Sequence, residues 1–140
     1  MPADAPGFVL PPSLEDLTIL AEATLAAIPP QLARHLDGVG IMVEERPDDE
    51  TLEEMGIDSP WDLTGLYRGT PLGSRSVSDP SRMPDMILIY REPILLEWIE
   101  TSVDLGLLVQ NVVVHEIAHH FGFSDAEIEA LEQEMKPPQR

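Results

Sequence analysis

A chain of 140 residues is long enough for one modest hydrophobic core, and its 43% hydrophobic residues exclude a disordered polymer. Its 26 acidic residues against 8 basic ones give a net charge of −18, which opposes close approach to phosphate backbones or anionic lipid. There is no cysteine, so disulfides, iron–sulfur clusters and thiolate chemistry are excluded, and any metal site must draw on His, Asp and Glu.

Residues 1–12 are rich in Pro, Ala and Gly and read as a flexible tail without the basic and apolar segments of a signal peptide. No stretch approaches the ~18 uninterrupted apolar residues of a membrane span, so a soluble cytoplasmic protein with no membrane and no nucleic-acid partner is expected. The domain is expected over residues 13–136. Ser13 with Asp16 makes a capping-box-like start to a helix whose apolar stripe is Leu14, Leu17, Leu20, Leu25 and Ile28, stopped by Pro29-Pro30. A helical turn follows over 31–36, then a strand over 39–45 and a surface helix within the acidic segment 44–54. The spacing around Gly65 predicts a second strand over 62–68. Residues 69–84 carry only turn and loop residues, longer than the usual connection in a compact domain. This loop is expected to border the metal pocket, with Arg75 and Arg82 pairing with local acids.

Met86 to Tyr90 is apolar throughout and reads as a central strand. Pro93 suits the first turn of a helix ending near Glu100. Asp104 caps a helix over 105–121 that has little polar face and should therefore be buried. Gly122 stops it, and Ser124 with Glu127 opens a last helix whose apolar face is Ile128, Leu131 and Met135. Helices and strands that do not strictly alternate point to a small single-domain α+β fold, with a short mixed sheet packed on the central helix.

That helix ends in HEIAHHFGFSD, from His115 to Asp125. Residues four apart share one helix face, so His115 and His119 project side by side and can bind one cation. Glu116, turned by about 100° from His115, is placed to take a proton from a water at the metal instead of ligating it. Gly122 lets the chain turn back at positive φ, and Asp125 can then supply a third donor with a fourth position left open. An acid at the start of a helix is also favoured by the macrodipole alone, so the residue reading of Asp125 leaves ligand and plain N-terminal acid both open. His120 reads as a helix-end residue or a support for the ligands, His35 as a surface residue, and Tyr67 as packing or as a donor to a developing oxyanion.

The string fits HExxHxxGxxD, the zincin pattern with Asp as third ligand that is also found in snapalysin-like peptidases. Together with GLYRGTPL at 65–72, SRSV at 74–77 and MPDMILIYREPIL at 83–95, it resembles a bacterial family of minimal-zincin metallopeptidase-like proteins. The likeness covers most of 65–125. It implies a compact α+β fold, Zn2+ held by His115, His119 and Asp125, and Glu116 as general base, and it supplies no particular substrate; the hydrolytic chemistry itself leads to the expectation of a peptide or protein substrate.

Three functional readings compete. The first is zinc-dependent peptide-bond hydrolysis, in which Glu116 activates the attacking water. The second is a metal-binding regulatory or interaction module without turnover, although a structural zinc normally takes four protein ligands and only three are in sight. The third is a metal-dependent ribonuclease with three histidines in an HxxxHxxxxxH spacing. Residue 125 is Asp and the charge is −18, and both speak against it.

Overall fold

The computed structural model describes residues 10–69 and 85–135. The expected tail lies mostly outside this range, and so does the expected lid-like loop with Arg75 and Arg82, apart from Gly69. Among the described residues, six α-helices and three strands make up the domain: α1 (Leu14–Ala26), α2 (Pro30–Ala33), β1 (Gly40–Glu44), α3 (Asp49–Met55), β2 (Gly65–Arg68), β3 (Met86–Tyr90), α4 (Arg91–Thr101), α5 (Leu105–His120) and α6 (Asp125–Glu134). The fold is small, single-domain and α+β, as the sequence implies.

Three side chains begin helices as expected. Ser13 and Asp16 form a reciprocal capping box on α1, Asp104 accepts from the Leu107 amide at 3.1 Å on α5, and Ser124 with Glu127 caps α6. Each satisfies amide groups that a helix start leaves unpaired. The end of α5 is a Schellman turn. Gly122 sits at φ 83°, its amide donates to His119 O at 3.1 Å, and the Phe123 amide donates to Ala118 O at 2.9 Å. The chain therefore reverses within three residues and enters α6.

The sheet has the order β1-β3-β2, with β1 parallel and β2 antiparallel to β3. β3 is the central strand, and its two faces explain its unbroken apolar run. Ile87 and Ile89 join a core with α1, α5 and α6, while Leu88 and Tyr90 pack with Leu52 of α3 and Leu63. β2 is shorter than its sequence suggests. Pro60 to Asp62 form a 3-10 turn instead, capped by Ser59 and preset by proline, so pairing starts only at Gly65. On β2, Gly65 and Tyr67 face α5, and Leu66 turns towards the α3 side. Arg91 anchors the entry of the chain: its Nε donates to Pro12 O at 2.6 Å and its guanidinium pairs with Glu45 at 3.0 Å.

α5 is buried along most of its length, from Leu105 to Ala118. Gln110 is the odd residue on it. It is 1% exposed, and neither Nε2 nor Oε1 finds a hydrogen-bond partner among the described residues. An unpaired buried amide costs about 1–3 kcal/mol. Gln110→Met keeps the length and removes the polar atoms, so it should raise unfolding free energy by about 1 kcal/mol in a urea titration. A loss of stability instead would mean that the amide is satisfied inside the core.

Candidate metal centre

The candidate ligands come from two helices, α5 and α6, which the turn at Gly122 joins. His115 and His119 lie one turn apart on α5, with ring centroids 4.6 Å apart. Asp125 is the first residue of α6, just past the Ser124 cap, and its Oδ1 comes within 3.6 Å of His119 Nε2. One donor atom from each of the three lies within 4.8 Å of the other two. Two imidazole nitrogens and one carboxylate oxygen at this spacing fit a tetrahedral zinc with one open position. The His115 and His119 side chains are half exposed, at 49% and 50%, and that of Asp125 is 87% exposed, so the group opens to solvent.

Glu116 occupies a different setting. On the helix surface Val112, Glu116 and His120 form an i, i+4, i+8 row, and this row faces β2. At Gly65 the strand comes so close that a Cβ would stand 2.6 Å from Val112 Cγ1 and 3.6 Å from Glu116 Cγ. Tyr67, two residues on and on the same strand face, stacks on His120 with centroids 3.9 Å apart and planes 18° apart. The Glu116 carboxyl is partly buried as a result. Desolvation raises its pKa above the ordinary carboxylate value, and the charge of His119 acts in the opposite direction. A carboxylate made more basic by burial beside the two imidazoles of the candidate centre is suited to accept a proton.

The other residues singled out in the sequence take quieter places. The Tyr67 hydroxyl donates to Asp85 Oδ2 at 2.7 Å, between two buried side chains, so it joins β2 to the start of β3. His120 packs against Tyr67 and meets Phe121 edge-on at 4.9 Å. His35, expected at the surface, is half-buried and stacks on Phe121 at 4.7 Å, because the turn after α2 lies against the end of α5. A cavity of about 580 Å³ lies on the α3 side of the sheet, lined by Met42, Thr51, Arg68 and Leu88 among others, away from the histidine pair. Sequence reasoning missed Gly65, Asp85 and Glu132 as neighbours of the site. Only Glu132 left a signal, standing two helical turns beyond Asp125.

A helix bearing two histidines one turn apart, a glutamate on the adjoining row and an acid carried in by the next helix together make a candidate zincin-type metal centre. Residues 36–135 match the family of zincin-like metallopeptidases, and the chain belongs to that family. No curated relative matches it. Membership implies a zinc-dependent, peptidase-like function in general terms. No helix among the described residues is long and apolar enough to cross a membrane.

Gly65→Ala tests the strand–helix approach. The new methyl meets Val112 and the Leu88 carbonyl, at 2.6 and 3.3 Å, and neither is the end of a flexible chain. Overpacking of this kind costs about 1–3 kcal/mol, so the thermal midpoint should drop by several degrees. An unchanged midpoint would show that β2 can step away from α5.

Proposed function

We propose that the protein is a zinc-dependent peptidase whose metal is held by His115, His119 and Asp125 and whose general base is Glu116. The observation that carries this reading is the convergence of the three donor groups within 4.8 Å beside a partly buried glutamate. When bound, zinc polarises the carbonyl to be cleaved and acidifies a water beside it. Glu116 takes a proton from the attacking water and delivers it to the leaving amine, returning to the carboxylate. Its raised proton affinity favours the first transfer, and its place on the row next to the histidines leaves it free of the metal.

β2 provides the binding element. Among the described residues it is an edge strand of the sheet, and its face carries Gly65 against Glu116. An extended peptide added to that edge gains main-chain hydrogen bonds and lies beside the base. The competing reading, a metal-bearing interaction module, has less support. A structural zinc takes four protein donors, and the donor group among the described residues has three. Such a module would also have no use for a desolvated Glu116.

Two variants separate these readings. His115→Ala should lose stoichiometric zinc by elemental analysis, and retention of full zinc would refute the ligand set. Glu116→Gln should keep one zinc per chain and lose about 10²–10⁴-fold in turnover of any peptide cleaved from a fluorogenic library. Loss of zinc in that variant would make Glu116 a ligand.

A further inference from the structure

Each imidazole of the α5 pair faces a carboxylate of α6. His119 Nε2 lies 3.6 Å from Asp125 Oδ1, and His115 Nδ1 lies 3.7 Å from Glu132 Oε1. The two acids stand seven residues apart, two helical turns, and so share one face of α6. They differ in what they reach. Asp125 belongs to the group of donor atoms that converge within 4.8 Å, and Glu132 does not. Asp125 extends into solvent, whereas the Glu132 side chain is 26% exposed and lies beside Nδ1 of His115. Its neighbours Ile128, Leu131 and Met135 are buried in the core and fix the α6 backbone at that point.

We infer that Glu132 is a positioning residue for His115: its carboxylate faces Nδ1 and leaves Nε2 turned towards the metal-binding group. This rests on the metal reading above. A neutral imidazole carries one N–H, and the partner of one ring nitrogen decides which nitrogen keeps a free lone pair. A carboxylate behind a ligating histidine fixes both that tautomer and the ring angle, and makes the ring a stronger donor. At 3.7 Å the contact is electrostatic, and about half an ångström of side-chain movement turns it into a hydrogen bond. Glu132 is tied to the core through α6, so the orientation of His115 is set by the fold and not by the metal alone. α6 thus serves both histidines, one through an acid that joins the donor group and one through an acid that holds a ring from behind.

Zinc affinity, measured by competition with a chromogenic chelator, tests this in the full chain. Glu132→Ala should bind one zinc about 10–100-fold more weakly than the parent, and Glu132→Gln, which keeps an acceptor oxygen, should lose less. Glu129→Ala removes the same charge one turn away, from an exposed residue outside both imidazole–carboxylate pairs, and should cost at most about threefold, as a surface charge does. A second readout needs no metal. Imidazole ¹⁵N shifts of the metal-free parent should show His115 protonated at Nδ1, and in Glu132→Ala at Nε2. The inference is overturned if Glu132→Ala weakens zinc no more than Glu129→Ala does. It is equally overturned if Glu132→Ala abolishes zinc binding outright, which would make Glu132 a ligand, or if His115 of the parent carries its proton on Nε2. A parent that binds no zinc while His115 keeps the Nδ1 proton would instead overturn the metal reading and leave the Glu132–His115 contact standing.

Discussion

The close approach of β2 to α5 at Gly65 is the contact on which the rest of the site depends. A strand backbone can meet a helix at this distance only where no Cβ intervenes, since a methyl at residue 65 would lie 2.6 Å from Val112. That approach assigns the faces of α5. The row of Val112, Glu116 and His120 is covered by β2, and the row of His115 and His119 is left facing α6 and solvent. The proposed base and the candidate ligands are thereby separated by one step around the same helix. Glu116 is desolvated while the histidines stay open, although all three lie within five consecutive residues.

The second constraint is the reversal after α5. A helix can present two ligands one turn apart but not a third at right geometry, so the third must arrive from elsewhere. The Schellman turn at Gly122 brings Ser124 and its capping box directly after the histidines, and Asp125 follows as the first residue of α6. The cap hydrogen bonds and the buried Ile128 and Leu131 hold α6 in place. The acid that approaches His119 is therefore positioned by the packing of a whole helix and not by a free loop. In a chain of charge −18, a divalent cation bound at this point would also relieve repulsion between the carboxylates of Asp125 and Glu132, which face the histidine pair.

Much of this was legible in the sequence because it is written in local chemistry. Ser13, Asp104, Gly122 and Ser124 act through backbone groups within a few residues of themselves, and each starts or stops its helix where the pattern indicated. The apolar run of 86–90 marked a strand covered on both faces, and the i, i+4 histidines marked one helix surface. What could not be read came from contacts between distant segments. The stacking of His35 on Phe121, the burial of Asp85 under Tyr67 and the crowding at Gly65 all depend on how elements dock. The shortened β2 reflects a local competition that the strand pattern hid, with Ser59-Pro60 favouring a turn over an extended start. Glu132 lay between these cases. Its spacing from Asp125 was visible, but its nearness to His115 requires the angle between α5 and α6.

Base, third ligand and ring support all presuppose paired imidazoles at one zinc. X-ray absorption at the zinc K edge, recorded on the protein loaded with one equivalent, reads the ligand atoms directly. The multiple-scattering pattern should require two imidazole rings, with oxygen completing the shell. A shell of oxygen alone, or one fitted with a single imidazole, would contradict the arrangement of His115 and His119 that everything else here builds on.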